Sequence, residues 1–233
     1  MQPGYLLINK PKNMTSFDVV KQIKKIINKK IKIGHAGTLD PFATGLLIVC
    51  VGREATRSIS NFVDLDKVYV VKAKLGELTD SLDFTGQILE TKTKIPNKSE
   101  ILEAIKKIGK KYIQTPPIYS ALKHKGKPLY KLARSKVMTE EELQKIIKQK
   151  SREVEIFSLE LIDFEPPFFS FRAKVSKGTY VRSLANDIAQ IAQSCATTYE
   201  IQRVKIGPFS LEKSVDLNKL KTVEDVQDNM VKT

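Results

Sequence analysis

The chain has 233 residues, 41% hydrophobic and 28% charged, with 40 lysines and arginines against 26 aspartates and glutamates, a formal net charge of +14. The two cysteines, far apart in sequence, exclude a disulfide framework, and the lack of a long apolar run or a signal peptide excludes a spanning or secreted chain, so we expect a cytoplasmic protein. The positive balance favours a nucleic acid over a membrane surface as partner, although a surface that is simply rich in lysine would give the same count.

The first residues predict a strand and then a helix. Residues 5–11 form an apolar run that stops at Pro11, which is typical of a short buried strand. Thr15, with Asp18 three residues later, predicts a helix start, because the hydroxyl caps the first turn and the acidic side chain suits its positive end. Apolar residues then recur on one helical face, at Val20, Ile23 and Ile27.

Residues 33–45 form a loop by composition, with three glycines and one proline. Pro41 biases Asp40 toward an extended backbone, and Gly37 and Gly45 allow a close approach. One interpretation is a carboxylate held on a stiff, approachable turn; the other is an Asx turn in which Asp40 only bonds nearby amides. The apolar run at 46–51 predicts a strand buried on both faces.

The middle of the chain combines one clear strand with a long excursion. Residues 67–75 alternate, which places Tyr69 on the apolar face of a strand. The polar stretch 76–86 holds Asp80 and Asp83 and is interpreted as a solvated loop. Residues from about 95 to 150 contain two helix-capping pairs and tyrosines set among lysines, which indicates either an RNA-gripping surface or a flexible solvated insertion.

The last third predicts a strand at 169–175, a helix opened by residues 176–183, and a strand at 201–211 broken at Gly207-Pro208. Arg182 falls in the first helical turn, where a cation opposes the helix dipole. The Arg182 guanidinium should therefore pair with a carboxylate or a phosphate, unless its side chain extends into water. The simplest organisation is one α+β domain with an inserted lobe.

Few kinds of chemistry suit these residues. With only His35 and His124, serine and cysteine hydrolysis lack support, and no nucleotide-binding glycine loop or metal-ligand spacing is present. A lone aspartate can act as a covalent nucleophile without a base, and a paired arginine would keep it ionised. A tyrosine face can stack on a nucleobase pulled out of its helix.

The sequence His-Ala-Gly-Thr-Leu-Asp-Pro-Phe-Ala-Thr-Gly at 35–45 resembles the signature of the TruB family of tRNA pseudouridine synthases. Further stretches resemble other motifs of this family in the same order, at 4–20, 67–80, 114–134, 177–184 and 207–209. Ordered matches over most of the chain make a chance resemblance unlikely, whereas a single motif would be modest evidence.

The resemblance implies a pseudouridine synthase fold, α+β, with a central mixed, largely antiparallel sheet flanked by helices. It implies a catalytic domain at 1–211 with an RNA-gripping lobe at about 95–150, and isomerisation of uridine 55 in the T loop of tRNA by base flipping. No cofactor or metal is implied, and a monomer is expected. The route of the aspartate stays open: attack on the ribose, addition to the pyrimidine, or elimination.

The resemblance also assigns residues. Asp40 matches the catalytic aspartate, Tyr69 the residue that stacks on the flipped uracil and is implicated in proton removal at C5, and Arg182 the ion-pair partner of the aspartate. The substrate or RNA contacts that it implies include a histidine that fills space left by flipped bases and an apolar wall against the uracil, and the full set is His35, Gly37, Thr38, Tyr180, Ile201, Lys123 and Lys10.

Some positions depart from the family pattern. Asn9 and Asn13 replace the more usual Asp and Gly, and Gln202 replaces an arginine, which removes one basic contact to RNA. The tail at 212–233 is too short for the PUA domain of many bacterial members, so we expect recognition to rest on the T-arm stem-loop. The alternatives are the same chemistry on another RNA, or a non-catalytic tRNA-binding protein, which would not need Asp40, Tyr69 and Arg182.

Overall fold

The computed structural model describes residues 2–27, 29–135 and 138–232. They divide into two compact units: a terminal unit made of Met1–Tyr69 and Ile201–Thr233, and a central unit made of Val70–Glu200. The predicted catalytic domain at 1–211 and the lobe at about 95–150 have other borders and stay predictions. Residues 136 and 137 of that lobe lie outside the described ranges.

Strands make up much of both units. In chain order they are β1 (Gly4–Lys10), β2 (Ile33–His35), β3 (Thr44–Val51), β4 (Lys67–Leu75), β5 (Glu77–Thr79), β6 (Ile88–Thr91), β7 (Lys111–Gln114), β8 (Lys123–His124), β9 (Lys127–Pro128), β10 (Arg152–Glu165), β11 (Phe168–Val175), β12 (Ala196–Ile206), β13 (Phe209–Ser210), β14 (Val215–Asp216) and β15 (Val231–Lys232). The predicted strands at 5–11, 46–51, 67–75 and 169–175 are confirmed. The predicted strand at 201–211 begins earlier, at Ala196, and breaks at Gly207-Pro208 as expected.

The helices are α1 (Ser16–Ile26), α2 (Arg53–Arg57), α3 (Ile59–Asp64), α4 (Lys98–Ile108), α5 (Leu129–Arg134), α6 (Glu140–Gln149), α7 (Val181–Ile191) and α8 (Val223–Asp228), with short 3-10 turns at Leu211–Lys213 and Leu217–Lys219. Capping boxes start four of them, and in each the N-cap side chain accepts from the N3 amide while the N3 carboxylate accepts from the N-cap amide. The pairs are Thr15/Asp18, Asn97/Glu100, Thr139/Glu142 and Thr222/Asp225. None of the helices that the structure describes has the length and apolar content needed to cross a membrane.

In the terminal unit the strand order is β14-β1-β3-β12. β1 pairs antiparallel with β3 over its whole length, and β3 pairs parallel with β12, with Gln202 opposite Thr44 and Arg203 opposite Gly45. β3 is buried on both faces, as predicted: Leu47 and Val49 face the apolar side of α1, while its alternate residues join a second apolar cluster. β2 also pairs antiparallel with β3, so the sheet fixes both ends of the loop at 36–43.

In the central unit β11 and β7 both pair antiparallel with β10, and α4 packs against α7 and β10. The inner face of β11 is buried and apolar, as its alternation predicts, with Phe169, Phe171, Ala173 and Val175. Residues 118–147 contain a small apolar cluster of their own around Leu129, Ile146 and Ile147. The mixed and antiparallel sheets with their helices confirm the predicted α+β class.

The close approach of β3 and β12 depends on Gly45. Its φ is +105°, and a Cβ there would lie 2.4 Å from the carbonyl oxygen of Arg203 and 2.7 Å from its backbone nitrogen. With any other residue at position 45, β12 would have to move away from the end of the loop at 36–43.

We predict that Gly45→Ala lowers the free energy of unfolding by about 3 kcal/mol or more. The matched control is Gly126→Ala, because Gly126 also has a positive φ, +81°, but no atom of the residues that the structure describes lies within 4 Å of its Cβ position. In the control, the free energy of unfolding should fall only by the cost of the backbone strain, about 1–2 kcal/mol. Urea unfolding followed by circular dichroism measures both, and equal losses would refute the close-approach argument.

Candidate active site

Asp40 lies half-buried on the loop between β2 and β3. The residue before it is held on both sides of its backbone by Ser16, the first residue of α1. The Ser16 hydroxyl accepts from the Leu39 amide at 2.9 Å and donates to the Leu39 carbonyl at 3.3 Å. After Asp40 the chain turns at once, because the Ala43 amide donates to the Asp40 carbonyl at 3.1 Å. The backbone that presents this carboxylate is therefore fixed to the start of a helix.

Sequence reasoning missed Ser16. The available signal was the pair Thr15-Ser16, since a helix start needs only one capping hydroxyl and the second is free for another role.

Lys10 fastens the other side of the same loop. Its side chain is fully buried, and the ammonium donates to the carbonyls of Pro11 at 2.8 Å, Met14 at 2.7 Å and Pro41 at 3.2 Å. Burial lowers the Lys10 pKa to about 8, while Asp40 acts to raise it and Arg203 to lower it. Lys10 thus directs its donors at the protein backbone, including the residue after Asp40, and its contact with RNA stays a prediction.

Arg203 on β12 joins the loop to the sheet. It is buried, its Nε donates to the Leu46 carbonyl at 2.8 Å, and its Nη2 donates to the Gly37 carbonyl at 3.1 Å. One guanidinium therefore bridges a residue before Asp40 and a residue of β3 after it. Sequence reasoning assigned no role to Arg203.

The terminal unit also holds the other predicted residues of this group. Burial lowers the pKa of His35, and the charge of Arg203 lowers it further, so the half-buried ring is neutral at pH 7. Gly37 has a φ of +97° and Thr38 is exposed. Tyr69 is half-buried on β4, and Ile201 is buried on β12.

Arg182 is buried in the first turn of α7, in the central unit. Its Nη1 lies 3.2 Å from Oδ2 of Asp83 and donates to the Ser81 carbonyl, and its Nη2 donates to the Tyr119 carbonyl at 2.8 Å. The interpretation in which it swings into water is wrong, because these groups hold it inside. Its pairing with Asp40 stays a prediction.

Asp83 is also buried, and the predicted solvated loop at 76–86 is wrong. Its Oδ1 accepts from the amide of Thr85 at 3.1 Å, and its carbonyl accepts from the Thr79 hydroxyl at 2.7 Å. The sequence of this stretch is polar enough for solvent, but a guanidinium 99 residues away makes burial of the carboxylate possible.

The remaining predicted contacts lie elsewhere in the central unit. Tyr180 is the N-cap residue of α7, and its ring lies 5.7 Å from the guanidinium carbon of Arg152. Lys123 is exposed on the β8-β9 hairpin, whose turn residues Lys125 and Gly126 both have positive φ. This turn displays lysines 123, 125 and 127 to solvent. Within the described ranges, no group of three or more His, Cys, Asp and Glu side chains could hold a metal.

Comparison with known proteins identifies the family. The model of the TruB family pseudouridylate synthases, N-terminal domain, matches residues 24–181. The chain belongs to this family. It is therefore an isomerase of the pseudouridine synthase class, as its motifs predict.

Relatives extend the similarity over nearly the whole chain. The tRNA pseudouridine synthase B of Protochlamydia amoebophila is 40% identical over 229 residues, which cover 98% of this chain and 84% of that protein. That of Thermotoga petrophila is 42% identical over 217 residues, covering 93% and 67%. An H/ACA RNP structure bound to a substrate RNA containing 2'-deoxyuridine aligns with a TM-score of 0.67 at 26% identity, over 93% of this chain and 52% of that one. The chain thus spans about half the length of that neighbour, and the likeness confirms the pseudouridine synthase fold.

The three carbonyls around Lys10 give a prediction for this TruB-family loop. Lys10→Met keeps most of the side-chain volume but removes every donor, so we expect a loss of about 3 kcal/mol in the free energy of unfolding. Lys25→Met, at an exposed position of α1, should change it by less than about 0.5 kcal/mol. Chemical unfolding measures both, and a wild-type midpoint for Lys10→Met would contradict the assignment.

The buried pair of Arg182 and Asp83 gives another. Asp83→Leu leaves the guanidinium without this carboxylate and should cost about 3–5 kcal/mol. Adding Arg182→Met removes the guanidinium that has lost this carboxylate, so the double variant should be less destabilised than the sum of the two single variants. A double-mutant cycle in urea measures this coupling. Strictly additive losses would mean that the pair contributes no interaction energy.

Proposed function

We propose that this chain converts uridine 55 in the T loop of tRNA to pseudouridine, acting as a monomer in the cytoplasm, with Asp40 as the nucleophile. The uridine is flipped out of its helix, the bond from N1 to the ribose breaks, and the base rejoins the ribose through C5. C5 loses one proton and N1 gains one, and the bond made to Asp40 breaks again before the product leaves. The observation that carries this proposal is the fixed backbone on both sides of Asp40.

A carboxylate nucleophile needs to be ionised and to hold one orientation. Ser16, Lys10 and Arg203 immobilise the loop around Asp40 through backbone hydrogen bonds. Holding the reacting group in place before the substrate arrives removes entropy from the barrier. The attraction of Asp40 favours the charged form of Lys10, which is the form that donates to the carbonyls of this loop.

The other residues take roles that suit their surroundings. Tyr69 stacks on the flipped uracil and serves in proton removal at C5, Ile201 supplies the apolar wall, and Arg182 is the catalytic arginine. His35, neutral and half-buried, fills space left by the flipped bases. Lys10 positions the loop. Contacts to the RNA are made by Gly37, Thr38, Tyr180 and Lys123.

Three observations support an RNA as the substrate, and the first of them points to tRNA. The curated relatives at 40% and 42% identity are named tRNA pseudouridine synthase B. The structural neighbour is bound to a substrate RNA. The net charge of +14 suits a polyanion, and the lysines of the β8-β9 hairpin are exposed to meet it.

Asp40→Asn tests the chemistry. The amide cannot act as the nucleophile, so we expect no pseudouridine in an unmodified tRNA transcript, while the dissociation constant for that tRNA stays within about threefold of the wild type. The control is Asp163→Asn, which alters an exposed aspartate of β10 and should leave both unchanged. Pseudouridine mapping and filter binding measure the two quantities, and product formed by Asp40→Asn would end the assignment.

The same assay tests the substrate. Full-length tRNA and an isolated T-arm hairpin should both be modified at uridine 55, at rates within about tenfold of each other if recognition rests on that arm. Profiling of total RNA should find no second class of modified RNA. Modification confined to another RNA would keep the chemistry and overturn the substrate.

A further inference from the structure

The helix that carries Arg182 lacks a cap of its own. α1, α4, α6 and α8 begin with capping boxes made by neighbouring residues. α7 begins at Tyr180, whose side chain makes no capping hydrogen bond. Contacts from other parts of the chain therefore have to hold the orientation of this first turn.

Gln114 fixes it. This side chain is 2% exposed at the end of β7, and its Oε1 accepts from the Tyr180 amide at 2.8 Å while its Nε2 donates to the Tyr180 carbonyl at 3.1 Å. In a capping box, the N3 side chain accepts from the N-cap amide. Here a residue 66 positions away performs that function and also holds the carbonyl.

The neighbours of Gln114 extend this contact along α7. Gln114 Nε2 also donates to the Tyr112 hydroxyl, which donates to Oδ2 of Asp187 at 3.0 Å. The Ser183 hydroxyl donates to the Thr115 carbonyl at 3.0 Å. Burial raises the pKa of Asp187 to about 6 and raises that of Tyr112, so at pH 7 the carboxylate accepts and the phenol donates.

The segment at 112–119 therefore contacts α7 at its N-cap, in its first turn and one turn later. Arg182 belongs to the same set, because its Nη2 donates to the Tyr119 carbonyl. The side chain of Arg182 starts two residues after the backbone that Gln114 clamps. A small rotation at Tyr180 would move the guanidinium relative to Asp83, Ser81 and Tyr119.

We propose that Gln114 is a positioning residue for Arg182, supplying from β7 the cap that α7 lacks. This inference rests on the proposed function for its effect on catalysis, but not for its effect on Arg182. Gln114 touches neither substrate nor reacting atoms in this scheme; it acts only through the first turn of α7.

The test compares two substitutions of Gln114 with one elsewhere on the helix. Gln114→Ala removes both contacts to Tyr180, and Gln114→Glu keeps an acceptor for the Tyr180 amide but loses the donor. The control is Asn186→Ala: Asn186 is a buried carboxamide on α7, but its Oδ1 accepts from the Ala196 amide at 3.1 Å. Each variant is assayed at a temperature where circular dichroism shows it folded.

Single-turnover rates and tRNA affinity are measured separately. We expect Gln114→Ala to lower the rate constant about 10- to 100-fold, with the dissociation constant for tRNA changed by less than about threefold. Gln114→Glu should recover part of the loss, and Asn186→Ala should stay within about threefold of the wild type. In an Arg182→Lys background, Gln114→Ala should have little further effect, because its effect passes through the arginine.

A second readout does not depend on catalysis. The Nε–H signal of Arg182, assigned in NMR spectra by its loss in Arg182→Lys, should exchange slowly in the wild type and in Asn186→Ala, and faster in Gln114→Ala. If the rate falls equally in the control, or if the exchange of this signal is unaffected by Gln114→Ala, the positioning role is refuted. A wild-type protein without pseudouridine product would refute the proposed function alone, since the exchange measurement would still decide the role of Gln114.

Discussion

Buried cations that donate to backbone carbonyls hold the loops of this protein in shape. Lys10 does so for the Asp40 loop and Arg203 for its two ends. The Lys67 ammonium donates to the carbonyls of Val63 and Leu65 at the end of α3, immediately before the strand that carries Tyr69. Hydrogen bonds from charged donors are about twice as strong as neutral ones. They can fix irregular backbone that no helix or sheet would stabilise, which is the kind of backbone a candidate active site is made from.

The same burial sets the electrostatics around Asp40. Loss of water brings the Lys10 pKa down to about 8, and Arg203 lowers it further, whereas Asp40 opposes both. The charge on Lys10 at neutral pH is therefore coupled to the carboxylate that it helps to place. His35 responds to the same two causes, burial and Arg203, and stays neutral at pH 7. Two cations directed at backbone carbonyls, Lys10 and Arg203, thus hold the loop that carries the carboxyl group of Asp40, and the residue before that loop, His35, has an uncharged ring.

Local patterns in the sequence predicted local structure well. Alternation found β4 and β11, and the pairs Thr15/Asp18 and Asn97/Glu100 found helix starts, because a cap and its partner lie within one turn. The failures concern groups whose partners are distant. Asp83 looked solvated because nothing nearby in sequence suggested Arg182. Gln114 begins one of the family-like stretches, but nothing near it in sequence indicated that its partner is Tyr180. Membership of the TruB family was predictable from motifs, but the hydrogen bonds that hold those motifs were not.

Net charge gives the clearest example of this limit. Composition counts every lysine and arginine alike, and a total of +14 suggests a surface for RNA. The structure divides them: Lys10, Lys67, Arg182 and Arg203 are buried, while lysines 123, 125 and 127 are exposed on a tight hairpin. Only exposed cations can release counterions on meeting phosphate, so the salt dependence of binding should reflect the exposed lysines and arginines, the three of the hairpin among them, and not the total. Of the buried group, Lys10, Lys67 and Arg203 affect RNA only through the shape of the loops, and a change of salt would leave that contribution almost intact.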